Sequence, residues 1–347
     1  MEHIKKYDLN IETITPVHIG SGNTYLSSEL LFNEDGYNRI DISKYFNELN
    51  KEQQDDFVKN LIDNKMVLEN VNDNWVRYSL IKKFDGEFKS DNEIVENIKV
   101  FNEPYIPGSS IKGAIRTALL YYYFKIEDLD KLIVNDKVNE KLINSYFSMN
   151  QANEDILRFL KIKDTNTVPK PLLYKALNTK PKVKGGFEKG IPLYLESIYV
   201  EGKLSSSLAI TYNDKFDTLS FDKNKLSMLD IENIKESIYK FSCDYIKHEI
   251  RFCKSNKLYD LKEFYENINN DEDSPLLKLG HGSGFLATTL GLKVKNNNMA
   301  LYNEIKDMIV KQKRSEKNNK VDDFPVTRLI NESDKRPVGW VRLTFKE

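Results

Sequence analysis

Cysteine is almost missing from this chain: Cys243 and Cys253 are the only two in 347 residues. Two thiols build neither a disulfide scaffold nor a metal framework, and their scarcity fits a reducing cytoplasm. Histidine is scarce too, with four residues. No H-x-x-x-H pair, metal-spaced carboxylate cluster or G-x-S-x-G nucleophile turn occurs, so no metal, cofactor or catalytic residue is expected from motifs. No apolar run reaches the length of a membrane span, and the opening MEHIKKYDLN lacks the apolar stretch of a signal peptide. A charge excess is absent as well: 52 basic residues face 53 acidic ones, for a net charge of −1. Such a surface cannot hold a polyanion everywhere, so any polyanion site must be a local patch.

What is present is apolar and aromatic material: 40% hydrophobic residues, with 19 Tyr and 18 Phe. That excludes wholesale disorder, and the length suggests two domains at roughly 100–200 residues each. Residues 6–13, KYDLNIET, alternate: Tyr7, Leu9 and Ile11 share one face, which predicts a half-buried strand. TPVHIGSG, residues 15–22, ends it. Residues 29–42 read as two short strands around Asp35–Gly36, and Ser43 is placed to cap a helix over Lys44–Leu49. Residues 50–100 read as a helical insertion. The stretch PYIPGSSIKGAIRTALL, residues 104–120, reads as strand, turn and helix, with helical pieces continuing to about residue 163 and NEDILRFLKI the clearest. Thr, Pro, Lys and Gly crowd residues 164–190, which places a domain boundary there. Residues 192–212 predict two paired strands, 230–254 a helix with a buried stripe, 311–320 a solvated, mobile loop, and the C-terminal PVGWVRLTFKE a closing strand. The pattern is α+β, with helices on one face of an antiparallel sheet.

Four stretches could carry chemistry. In PGSSIKGAIR, Ser109 or Ser110 can cap a helix whose remaining N–H groups form an anion site. Lys112 and Arg116, four apart, share one face of it. The alternative is a well-capped helix with two solvated cations. Gly108 and Gly113 match the G-x-x-x-x-G spacing of a triphosphate loop, but Ala114 and Ile115 stand where Lys and Ser/Thr are required, which excludes that function. HGSGFLA, residues 281–287, matches G-x-G-x-x-A too late in the chain for a dinucleotide fold. It is either a loop open to close approach or a plain tight turn. His18 and His281 are an acid–base pair for RNA cleavage or locally bonded turn residues, while His3 and His248 look incidental. KPKVKGGFEKG, residues 180–190, sets Lys180, Lys182, Lys184 and Lys189 around a glycine pair and Phe187, which suits single-stranded RNA or a lysine-rich linker.

TPVHIGSG, YIPGSSIKGAIRTALL and GHGSGF, in that order, resemble the RAMP superfamily of CRISPR proteins. The likeness extends to the VGWVRLTF strand and is narrower to the fifth Csm subunit of type III-A effector complexes. It implies two tandem ferredoxin-like (RRM-like) domains, 1–175 with a helical insertion at about 50–100, and 176–347 with the glycine-rich loop 280–284. It implies an RNA-binding, non-catalytic subunit at the 3′ region of the CRISPR RNA, capping the backbone-subunit filament and supporting guide maturation and antiviral defence. The implied partners are the CRISPR RNA, other Csm subunits, chiefly the RAMP backbone subunit, and host trimming nucleases, with no membrane. The residues expected to face RNA are His18, Gly20, Ser109, Ser110, Lys112, Arg116, His281, Gly282, Ser283 and Gly284, joined by Lys182 and Lys184 of the lysine loop. The stacking aromatics of an RRM have no clear counterpart, which shifts binding from the sheet face to glycine loops and helix starts. The alternative is a metal-independent RAMP endoribonuclease using His18 or His281.

Overall fold

The alternation in KYDLNIET becomes the strand Glu2–Thr13, where Tyr7, Leu9 and Ile11 are buried while Lys6 and Asp8 face solvent. The computed structural model describes residues 2–63, 68, 72–88, 92–149, 154–182, 184–199, 203–213, 223–312 and 324–347. Glu2–Thr13 pairs antiparallel with Lys203–Asn213 on one side and with Trp340–Lys346 on the other. Leu160–Ile162 and Leu276–Lys278 complete this sheet at its two edges, again antiparallel.

Two helices cover one face of that sheet. Gly108–Tyr123 buries Ile111, Ile115, Ala118 and Leu119, a 3–4 spacing that makes one apolar stripe. Ile231–Ser255 does the same with Ile234, Ile238, Phe241 and Tyr245. The helices meet where Tyr121 lies 4.9 Å from Phe241 and its hydroxyl donates to Asp244 at 2.8 Å. In chain order these pieces are strand, helix, strand, strand, helix, strand, strand, and across the sheet the last strand lies beside the first, then the third, then the second, with Leu276–Lys278 added outside the last. That is a ferredoxin-like arrangement.

The second sheet runs in the order Gly20–Leu26, Glu93–Asn97, Ile191–Ser197, Leu172–Thr179, Val76–Lys83, Gly36–Ile40, Leu30–Asn33, and Arg328–Asn331 also pairs with Leu172–Thr179. It is antiparallel except where Leu172–Thr179 meets Val76–Lys83 and Ile191–Ser197 meets Glu93–Asn97. Its core is aromatic: Tyr25, Tyr37, Tyr78, Phe84 and Tyr194.

The α+β class therefore holds, but several boundaries shift. A division at residue 175 does not separate the sheets, because Glu2–Thr13 pairs with strands from the far half of the chain. Among the described residues the insertion at 50–100 is α-helical only at its start, Lys51–Ile62, followed by a 3-10 turn at Asp73–Trp75; Val76–Lys83 and Glu93–Asn97 are strands, the second with the charged Glu96 in an inward position. NEDILRFLKI is a single 3-10 turn, Ile156–Phe159, running into the edge strand Leu160–Ile162. The strands Ile191–Ser197 and Lys203–Asn213 do not pair with each other, since each belongs to a different sheet. Asp41, rather than Ser43, caps the helix Ile42–Glu48 by accepting from the Lys44 N–H. The expected loop at 311–320 lies, beyond residue 312, outside the described residues.

Two glycines of the helix Gly108–Tyr123 separate packing from propensity. A Cβ on Gly108 would stand 2.2 Å from the Ile162 carbonyl oxygen, whereas one on Gly113 meets nothing within 4 Å. Gly113→Ala should therefore raise stability by about 0.5–1 kcal/mol. Gly108→Ala should lower it by about 1–3 kcal/mol, because a backbone carbonyl cannot move aside as a side chain does. Denaturant melts of the two variants check this; equal shifts would show that the 162–163 backbone yields.

Candidate functional site

The helix at PGSSIKGAIR begins differently from the expected cap. Pro107, in extended geometry, occupies the capping position, and no side chain caps the helix there. The Gly108 N–H donates instead to the Asp164 carboxylate at 2.8 Å, and the Ile106 N–H to Thr165 Oγ1 at 3.0 Å. A carboxylate from the segment after the edge strand thus takes the first amide of the anion site. Ser109 is exposed and Ser110 half-buried. Lys112 is half-buried, and that burial holds its ammonium below the usual lysine range against the opposing pull of Asp155. Arg116 lies over the Phe147 ring at 4.9 Å and reaches Asn144 Oδ1 at 3.5 Å. The two cations are braced on protein, not freely solvated.

His18 and the late glycine loop meet where the chain crosses between the sheets. Val17 and Ile198 exchange backbone bonds at 2.8 Å, and the His281 N–H donates to the His18 carbonyl at 2.9 Å. The imidazoles of His18 and His281 stand edge to face at 5.7 Å. Gly280, at φ +71°, would place a Cβ 2.2 Å from the His18 carbonyl oxygen, and Gly282, at φ +83°, one 2.7 Å from Val338. Those two glycines are demanded by the neighbouring chain itself. Ser283 is buried, its hydroxyl donating to the Gly280 carbonyl at 2.8 Å. Gly20, His281 and Gly284 face solvent. Lys182 and Lys184, also exposed, flank a tight loop closed by the Lys182 N–H to Gly186 carbonyl bond at 2.8 Å. The structure thus brings His18, Gly20 and residues 281–284, separate features in the sequence, to one junction, while the helix start and the lysine loop stay apart from it.

The chain matches the RAMP superfamily over residues 10–284. It is 30% identical to the CRISPR system Cms protein Csm5 of Methanocaldococcus jannaschii, over 98% of this chain and 89% of that protein. The chain belongs to the RAMP superfamily, among the Csm5 proteins. It is also 26% identical to the Csm5 protein of Streptococcus thermophilus, over 89% of this chain and 86% of the relative. Two solved structures share the fold. A chain in the cryo-EM structure of a type III-A Csm–crRNA–target RNA ternary complex superposes with a TM-score of 0.72 at 21% identity, covering 97% of this chain and all of that one. The crystal structure of T. onnurineus Csm5 does so at 0.63 and 19%, covering 96% and 99%.

In this Csm5-family chain one densely bonded polar group is a residue the sequence reading missed. Glu196, fully buried, accepts from the Tyr25 hydroxyl at 2.8 Å, the Tyr78 hydroxyl at 2.6 Å and the Asn97 N–H at 3.0 Å, and it pairs with Lys99. Its backbone carbonyl lies 2.6 Å from His18 Nδ1. Beside it, Glu96 pairs with Arg39 at 2.9 Å and Lys99 at 3.1 Å. Burial alone would raise the Glu96 carboxyl, but Lys99 and Arg39 outweigh it and hold the group below the usual range. The available signal was phase: Glu96 follows Ile94, Glu196 follows Tyr194 and Arg39 follows Tyr37, each charge on the inward face of its strand. Among the described residues, no three His, Cys, Asp or Glu side chains cluster as a metal site, and no helix is long and apolar enough to cross a membrane.

Burial pulls the His18 pKa down to about 4, as it does for His248. A histidine that is neutral when folded and titrates near 6.5 when unfolded binds more protons in the unfolded state, so stability is full above about 6.5 and falls as the pH drops toward 4. Each such histidine should remove up to about 1.4 kcal/mol per pH unit in that window. Urea midpoints at pH 7 and pH 4.5 should therefore diverge less in His18→Asn than in the parent, whatever the variant costs at pH 7. An identical pH dependence would show that His18 is not closed to solvent protons. In the same junction, Gly282→Val should lower the melting temperature, because a β-branched residue is strained at positive φ and meets Val338 and Leu329.

Proposed function

We propose that this chain is the RNA-binding subunit of a type III-A CRISPR ribonucleoprotein. In this reading it holds the 3′ region of the CRISPR RNA, caps the filament of RAMP backbone subunits and supports guide maturation and antiviral defence in the cytoplasm, without cutting RNA itself. The observation that carries this reading is full-length similarity to Csm5 proteins. The RNA-facing elements are the helix start with Ser109, Ser110, Lys112 and Arg116, the outward residues Gly20, His281 and Gly284 of the junction, and the lysines 182 and 184. Host nucleases that trim the guide would dock on the assembled particle.

Two observations favour this over an endoribonuclease. His18 is 1% exposed, with Nδ1 engaged by the Glu196 carbonyl, so it cannot reach a ribose hydroxyl. With a net charge of −1, few phosphates can be neutralised, which suits a subunit that holds RNA inside an assembly better than one that captures it alone. Reconstitution tests the reading. Complexes assembled without the chain should carry guides with heterogeneous 3′ ends, and the isolated chain should leave guide precursor intact in EDTA. Metal-independent cutting that disappears in His281→Ala would overturn the non-catalytic part. Replacing Lys112 and Arg116 by Ala should weaken guide retention and flatten the log–log salt dependence by about 0.7 per lost single-strand phosphate contact. An unchanged slope would leave the pair as packing alone.

A further inference from the structure

A cavity of about 670 Å³ opens between the lysine loop, the turn joining the helices Ile231–Ser255 and Tyr259–Asn267, and the turn after the strand Arg328–Asn331. Its floor is apolar, with Leu258, Leu261 and Ile330. Three lysines line it, Lys184, Lys257 and Lys335, against the carboxylates of Glu188 and Asp260. Glu188 is paired from outside by Lys180 at 3.5 Å, so the balance inside favours an anion. Phe187 forms part of the wall, and Tyr259 stands 69% exposed at the rim, a large ring left in water.

The rim is built rather than loose. Lys257 and Lys335 are held at φ +54° and +57°, conformations that side-chain-bearing residues rarely adopt. Gly185 approaches Lys257 so closely that a Cβ on it would lie 2.9 Å from the lysine Cβ. The glycine lets the lysine loop close against the interhelical turn, which brings Lys184 and Lys257 to one opening. Apolar floor, aromatic rim and paired ammoniums are the components of a single-strand nucleotide site: the base stacks on rings regardless of its identity, and the phosphate meets the cations. A protein side chain would use the floor but leave the lysines unmatched.

We propose that this cavity binds one nucleotide of single-stranded RNA, its base against Tyr259 and Phe187 and its phosphate on Lys184 and Lys257. This rests on the reading of the chain as an RNA-binding subunit and names a contact which that reading leaves open. The probe is a fluorescein-labelled dodecauridylate, titrated into the isolated chain at low salt and followed by anisotropy. Tyr259→Ala should weaken binding at least five-fold, while Tyr259→Phe should retain it. Lys184→Gln combined with Lys257→Asn, a residue that tolerates positive φ, should flatten the salt dependence. All three positions are exposed, so the fold should survive, and a melting curve confirms that. Parent-like binding by Tyr259→Ala and by the double lysine variant overturns the cavity as a site, as does failure of the parent to bind at all. Neither result touches the subunit reading, which is judged separately by incorporation of the chain into the reconstituted complex.

Discussion

The strand Glu2–Thr13 is the piece on which the rest of the molecule depends. It lies between Lys203–Asn213 and Trp340–Lys346, so the beginning of the chain is hydrogen-bonded on both sides to segments hundreds of residues away. Closing so long a loop adds little to the thermodynamic cost, since each doubling of length costs only about 0.6 kcal/mol. The kinetic consequence is larger, because long-range pairing must wait for distant chain. The central strand can find both partners only when the C-terminal strand is available. The helices Gly108–Tyr123 and Ile231–Ser255 then have a continuous apolar face to cover.

The second sheet solves a different problem, that of burying charge. Glu196 gathers donors from the strands carrying Tyr25, Tyr78 and Asn97, and from Lys99. Taking an ion out of water costs several kcal/mol, and only full hydrogen bonding offsets it. Here two buried carboxylates, Glu96 and Glu196, stand against two cations, Arg39 and Lys99, with the half-buried Glu29 3.6 Å from Arg39 at the edge and the Arg39 guanidinium 3.8 Å above the Tyr25 ring. A matched set of this kind adds little net stability, but it penalises any register in which one member is missing. The contact of His18 with the Glu196 carbonyl carries that constraint to the crossing between sheets. A second buried pair, Glu249 and Arg328, bonded at 2.7 and 2.8 Å, ties the helix Ile231–Ser255 to the strand Arg328–Asn331 in the same manner.

Local pattern was legible and long-range pairing was not. Tyr7, Leu9 and Ile11 announce a strand, and Ile234, Ile238, Phe241 and Tyr245 announce a helix, because burial of one face leaves its period in the sequence. Nothing local announces that residue 8 pairs with residue 346, or that one sheet draws strands from both sides of residue 175. The strand at 93–97 was hidden because Glu96 occupies an inward position and breaks the apolar alternation, whereas the strand at 76–83 keeps Val76, Tyr78 and Leu80 in phase and was legible. At the candidate site the motifs were visible, but their internal partners were not. Asp164 is 56 residues from the amide it accepts, and Glu196 is 178 residues from His18.

If the helix start holds RNA as proposed, Asp164 decides how. With its carboxylate on the Gly108 amide, the positive end of the helix already carries a negative partner. An arriving phosphate gains little from the helix dipole and must rely on the exposed Ser109 and on the face of Lys112 and Arg116. Those cations are preset, Arg116 by the Phe147 ring and Lys112 by partial burial, so less side-chain freedom is lost when a phosphate is bound. Such a contact is indifferent to base sequence and weak by itself. It would suit the proposed role, in which any guide must be accepted and the hold on RNA would come from several small patches aligned by neighbouring subunits rather than from one strong site.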